Sequence, residues 1–155
     1  MWDKLREQVT LERGQLQRLL RVHQSLLAKC AISPPNEIEL SALAAMLHSF
    51  YTGLENIFKR TTLELADPMP GGESWHKELL DGMTEPTGSR KPLISPELSA
   101  RLKEYMEFRH FFRHAYIFTL NWDRMKNLVL GSEQTLRLVE DELDRFFKSA
   151  PRSGQ

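Results

Sequence analysis

The amino-acid sequence predicts an all-α protein, an up-and-down four-helix bundle with a short extra helix in the long loop between helices 2 and 3. Three observations carry that prediction. Four long segments place apolar residues three and four apart, the spacing that lines one face of a helix. No segment alternates apolar and polar residues as a half-buried strand would. The prolines fall at the ends of the helical segments or between them, where they stop helices instead of breaking them.

The first helical segment carries Trp2, Leu5, Val9, Leu16, Leu19, Leu26 and Cys30 on one stripe, interrupted by Glu12 and His23, and ends at Ser33-Pro34-Pro35. The second runs from about Asn36 to Ala66, with Leu43, Leu47, Phe50, Leu54, Ile57 and Leu65 along one face. Asn36 is its N-cap, and Glu37 and Glu39 occupy the first turn, where the helix dipole favours anions. Residues 67–92 change character: Asp67-Pro68-Met69-Pro70-Gly71-Gly72 and Glu85-Pro86-Thr87-Gly88-Ser89 are loop chemistry, and Glu73 to Met83 reads as a short helix between them. The third long helix opens at Ser95-Pro96-Glu97, with Ser as cap and Pro at the first helical position, and is expected to reach Phe118. Asn121 and Asp123 open the last helix, which ends near Lys148. One domain over residues 1–148 is expected, with 149–155 a flexible tail.

Composition bounds the function. The 155 residues hold 21 Lys and Arg against 21 Asp and Glu, so a uniformly basic nucleic-acid coat is excluded while a local basic site is not. At 41% hydrophobic and 27% charged residues the chain is of the ordinary folded class, not the disordered one. Cys30 is the single cysteine, which excludes a disulfide framework and suits a reducing cytosol. No apolar run reaches the ~18 residues of a membrane span. The first residues turn charged at once, unlike a signal peptide. A cytoplasmic, membrane-free protein is the expectation. Charge is uneven, with six Lys and Arg against two Glu in residues 4–29 and three against five acidic residues in 132–148.

The stretch that carries chemistry is Arg109-His110-Phe111-Phe112-Arg113-His114-Ala115-Tyr116. At about 100° per residue, Phe108, Phe111, Phe112, Ala115, Phe118 and Trp122 share one arc, expected to face the core. Arg109, His110, Arg113, His114 and Tyr116 share the other, with Met106, Ile117 and Leu120 among them. Large apolar groups among polar ones point to a partner surface, whereas a plain solvated basic face is the simpler reading of the same pattern. His exchanges protons near neutral pH, and Arg pairs bidentately with phosphate. Together they suffice for metal-free RNA cleavage, with His activating the ribose 2′-hydroxyl and Arg stabilising the crowded phosphoryl oxygens. Arg109 and His114 lie about 140° apart on an ideal helix, awkward for one phosphate, and a two-fold dimer relieves this by bringing two copies of each together.

Arg109-x4-His114-x-Tyr116 resembles the R-x4-6-H motif of the HEPN superfamily, in the form with a following Tyr seen in HepT-like toxins. Phe50-Tyr51-Thr52-Gly53-Leu54-Glu55-Asn56-Ile57-Phe58, Gly72-Glu73-Ser74-Trp75-His76 and Asn121-Trp122-Asp123-Arg124-Met125 are similar to that family too, so that residues 1–148 are covered. The resemblance implies a homodimeric ribonuclease with two motifs facing each other, acting on tRNA or mRNA, with Arg109 and His114 catalytic. It implies a toxin whose antitoxin partner is a minimal nucleotidyltransferase, transferring AMP from ATP to Tyr116. Each AMP would set a negative phosphate beside Arg109 and Arg113. Arg113 is assigned to RNA phosphates and His110 to shaping the site, against the reading that both are merely exposed.

Other residues carry less. His23 and His48 sit in apolar patterns and read as interface or partly buried residues. His76 lacks neighbours at zinc-site spacing, so metal binding is not expected, and nothing calls for a cofactor. Pro70-Gly71-Gly72 follows a helix and is no phosphate loop. Cys30 has no His placed to activate it. Ser95 and Asn121 are caps, and Trp75 and Trp122 packing residues. Two alternatives to the enzyme stay open: a non-catalytic bundle that binds a nucleotide or a nucleotidyltransferase partner through this face, and a helical adaptor docking an acidic partner.

Overall fold

The computed structural model describes every residue except 115, 117, 118 and 153–155. Among the described residues there are seven helices and no strand: α1 (Trp2–Val22), α2 (Gln24–Cys30), α3 (Glu37–Glu64), α4 (Trp75–Gly82), α5 (Pro96–Arg113), α6 (Trp122–Leu130) and α7 (Ser132–Lys148). Two of the four long helices of the sequence pattern are therefore each broken once. The first breaks at His23, whose ring Nδ1 turns back to the Leu19 carbonyl at 2.8 Å. The last breaks at Gly131, where a Cβ would meet the Asn127 carbonyl oxygen at 2.8 Å, so only glycine fits the approach.

Pairwise contacts fix the topology. Lys4 and Gln8 meet Glu64 while Leu16 meets Gly53, so α1 and α3 run antiparallel. Ser95 bonds Glu142 and Arg101 bonds Thr135, so α5 and α7 do too. Arg6 reaches the Phe147 carbonyl and Arg13 reaches Glu140 and Asp144, which closes the ring of four with α7 against α1. The basic first helix and acidic last helix thus pair with each other along one seam. Arg6 also donates to the Ala150 and Pro151 carbonyls, carrying that seam past the end of α7.

α3 is the central helix. It is buried nearly all round, with Leu43, Leu47, Phe50, Tyr51, Leu54, Ile57 and Phe58 all at 0% exposure, because α1 covers one side and α5 another. Its start is a capping box: Asn36 Oδ1 accepts from the Glu39 N–H, and Glu39 Oε1 accepts from the Asn36 N–H. Its end is a Schellman closure, with the Ala66 N–H on the Leu63 carbonyl and the Asp67 N–H on that of Thr62. Ala66 takes the left-handed conformation this demands, at φ 57°, where glycine is the usual residue.

The loop between α3 and α5 is packed, not open. Arg90 lies inside it and donates to the carbonyls of Gly82, Glu85 and Lys91, while Asp67 stands 3.7 Å from its Nε. Leu79, Leu80, Met83, Leu93 and Ile94 join the core from this segment, so α4 becomes a wall against α3 and α5.

Ser95 caps α5 as its sequence position predicts, accepting from the Leu98 N–H. The helix ends at Arg113, however, and not near Phe118. The His114 N–H turns to the Phe111 and Phe112 carbonyls, which tightens the last turn. The Tyr116 carbonyl is then taken by the Thr119 N–H and hydroxyl in a turn, so it serves no helical ladder. The predicted helical residues Ala115, Ile117 and Phe118 lie outside the described residues.

Candidate functional site

The site is built where the end of α5 meets the middle of α3 and the start of α4. Arg109 projects from α5 into the bundle and is 3% exposed, opposite to the solvent-facing place the helical arc predicts. Phe111, assigned to the core by the same arc, is 46% exposed. The reason is that α5 has two covered sides. α3 receives Phe112 and Arg109, and α4 closes over the side that carries Arg109.

A buried cation needs a counterion, and Glu55 of α3 supplies it. Arg109 Nη2 donates to Glu55 Oε2 at 2.8 Å, with both side chains under 5% exposed. Arg109 Nη1 donates to the Thr52 hydroxyl at 3.3 Å, and the guanidinium stands 4.8 Å from the centre of the Tyr51 ring. The carboxylate is shared, because His76 Nδ1 stands 2.7 Å from the same oxygen. That distance requires a proton between nitrogen and carboxylate, so His76 carries its hydrogen on Nδ1 and donates it to Glu55. The 3.1 Å approach of Arg109 Nη2 to His76 Nδ1 is then a contact between two donors that serve one acceptor. The His76 ring also lies over Trp75, centroids 3.6 Å apart, and Lys59 stands over the other aromatic system of the pair at 5.1 Å from the Trp75 centroid.

His110, Arg113, His114 and Tyr116 are exposed. The His110 and His114 rings meet edge-on at 5.1 Å, one turn apart at the end of α5. Arg113 beside them sets positive charge in the last turn of the helix, where the dipole favours it. A cleft of about 260 Å³ brings part of the set together. His76 and Lys77 of α4 line it with Arg109, His110 and Arg113 of α5, along with Glu73, Ser74, Met106 and Glu107. A larger hollow of about 720 Å³ between α5 and α6 is lined by Phe108, Phe111 and Met125 and has no histidine on its walls. His48 of α3 meets Phe112 of α5 with the rings tilted and their centroids 5.7 Å apart. Burial, then the charges of Arg113 and Arg109, hold its imidazole below the ordinary histidine value.

Of the residues singled out in the sequence, Arg109, His110 and Arg113 thus share one cleft, and His114 adjoins it through His110. Tyr116 lies beyond the helix end. Glu55, Thr52 and Tyr51 stood only within a stretch similar to the family and were given no role at the site, and His76, in another such stretch, was set aside as a metal ligand. Glu55 did leave a signal: it falls four residues after Tyr51 and three before Phe58, on a buried arc where a lone carboxylate demands a cation.

An all-helical, up-and-down bundle of this layout is HEPN-like in class. The family model for HepT-like protein matches residues 42–150, well over half of the chain, and the chain belongs to that family. No curated protein and no solved structure matches. Among the described residues no helix is long and apolar enough to cross a membrane.

Proposed function

We propose that this chain is the toxin of a toxin–antitoxin pair, a metal-independent endoribonuclease acting on tRNA or mRNA as a homodimer. The observation that carries the reading is the exposed His110–His114 pair beside Arg113 at the end of α5, on a cleft also lined by Arg109. His114 takes the proton of a ribose 2′-hydroxyl, and the oxygen attacks the adjacent phosphorus. The 5′-oxygen leaves and a 2′,3′-cyclic phosphate remains. Arg113 holds the RNA phosphate, His110 orders the pair, and Arg109 sets its charge beside the phosphate from within its ion pair with Glu55. In a two-fold dimer each cleft works beside its symmetry mate. Tyr116 is exposed, as acceptor of AMP from a minimal nucleotidyltransferase antitoxin: the phenol oxygen attacks the α-phosphate of ATP and pyrophosphate leaves. The added phosphate neutralises Arg113 and fills the cleft.

The test is purified protein, free of any partner, incubated with total cellular RNA in EDTA beside His114→Ala, with intact masses recorded. Discrete cleavage by the wild type alone is expected. An unmodified, dimeric wild type that leaves RNA whole refutes the enzyme.

One observation favours a second reading. Arg109 is buried and its charge is met by Glu55, which suits a structural part in a non-catalytic bundle that binds a nucleotide or the nucleotidyltransferase through the same cleft. In that case ATP or the partner binds the cleft and RNA is untouched.

A further inference from the structure

Cleavage by 2′-hydroxyl attack moves two protons, one off the attacking oxygen and one onto the leaving oxygen. The ribonuclease reading, on which this inference rests, assigns only the first. We propose that His76 is the second proton-transfer group, the general acid that protonates the 5′-oxygen as it leaves.

Three observations support the assignment. His76, in the first turn of α4, is held by the 2.7 Å bond to Glu55 and by its ring contact with Trp75. The Glu55 bond commits Nδ1 as donor, so the ring exchanges its proton only at Nε2, and a group locked in one tautomer by a carboxylate is the arrangement that a positioned acid or base requires. His76 also lines the same cleft as His110 and Arg113, while His114 packs edge-on against His110. A phosphodiester bound at Arg113 in this cleft therefore meets His76 on the α4 wall and His110 on the α5 wall, with His114 next to His110. A second proton on this ring, at Nε2, would have the Glu55 oxygen in contact at Nδ1 as its counterion, which suits the ring to the acid's part and leaves His114 the base's.

The steps balance. The 2′-proton passes to His114, the O2′–P bond forms, the P–O5′ bond breaks, and the Nε2 proton of His76 goes to O5′. His76 is left neutral, keeping its Nδ1 proton and donating it to Glu55 as before, and His114 is left cationic. Exchange with water restores both, so one proton has moved from one ribose oxygen to the other with no oxidant, metal or cofactor.

His76→Asn separates the chemical part from the structural one. The Asn amide can donate to Glu55 as Nδ1–H does, keeping the anchor, but it transfers no proton. Both proteins would be assayed in EDTA on an oligoribonucleotide and on uridine 3′-(4-nitrophenyl phosphate), whose leaving group departs without protonation. Expected is a loss of roughly 10²–10⁴-fold on RNA, at least about tenfold smaller on the activated ester, with the alkaline limb of the pH–rate profile gone. His114→Ala should lose activity on both substrates alike. Full RNA cleavage by a folded His76→Asn protein overturns the assignment, and so does an equal loss on both substrates. A wild type free of added AMP that cuts neither substrate fails at the earlier step, and removes the ribonuclease reading together with this one.

Discussion

Replacing Glu55 by Gln should destabilise the protein far more than a surface charge change would. The carboxylate and the Arg109 guanidinium are both under 5% exposed and 2.8 Å apart, a separation worth roughly 6 kcal/mol of attraction at an effective dielectric near 20. Much of that attraction offsets the cost of having taken both ions out of water. Replacing the whole pair by well-packed apolar residues costs little, but breaking it strands a buried cation, typically at about 3–5 kcal/mol. Gln keeps the shape and one acceptor oxygen, and Thr52 and the Tyr51 ring still face the guanidinium, so the lower end of that range, about 3 kcal/mol, applies to Glu55→Gln. For a chain of this size that lowers the melting temperature by roughly 6–12 °C. The double variant Glu55→Gln, Arg109→Met removes the stranded charge and should be more stable than Glu55→Gln alone, by about 1–2 kcal/mol. Urea unfolding of wild type, both single variants and the double variant measures this directly. Single losses below about 1 kcal/mol, or a double variant equal to the sum of the singles within about 0.5 kcal/mol, would refute the argument. The result bears on function as well. An inactive Arg109→Ala protein says nothing about chemistry until its fold has been measured.

Three other outcomes follow from the same structure. His48 has a depressed folded value, so between pH 6.5 and lower pH the unfolded chain binds more protons than the folded one, and stability falls as pH drops through that window. Melting curves at pH 7.5 and 5 should show this loss in the wild type and a smaller one in His48→Gln; equal slopes would remove His48 from the account. Among the described residues the Tyr51 hydroxyl is buried without a hydrogen-bond partner, and burial, then Glu55, pushes its ionisation well above the ordinary tyrosine value. Tyr51→Phe is expected to be neutral or stabilising by up to about 1 kcal/mol in urea unfolding, since no bond is lost and the ring still faces Arg109. Ala66→Gly should raise the melting temperature, because relief of left-handed strain worth about 1–2 kcal/mol exceeds the roughly 0.5–1 kcal/mol of added unfolded-chain entropy; a lower melting temperature contradicts that.

The long helices were legible because burial of one stripe imposes a period on the sequence, and Asn36 and Ser95 marked two starts through the same side-chain bonds the structure shows. The extra helix showed itself by the loop chemistry on either side of it. What periodicity did not reveal was Arg109's orientation. A helical wheel divides a helix into one inner and one outer face, and α5 has a third surface that exists only because residues 67–94 fold over it. That covering depends on Arg90 gathering three carbonyls of its own loop, a long-range consequence with no period in the sequence. The end of α5 was hidden for a related reason: no Pro or Gly follows Arg113, and the stop comes from local turn bonds at His114 and Thr119.

Glu55 Oε2 serves partners on two other helices at once, and this constrains how the family can drift. Substituting residue 55 leaves the Arg109 charge and the His76 donor unanswered, and substituting residue 109 leaves the carboxylate without its buried cation, so either change meets selection before a second can compensate. In an alignment of HepT-like chains the three columns should therefore change as a set: chains that have lost the carboxylate should also have lost the arginine, and a histidine at position 76 should occur where both remain.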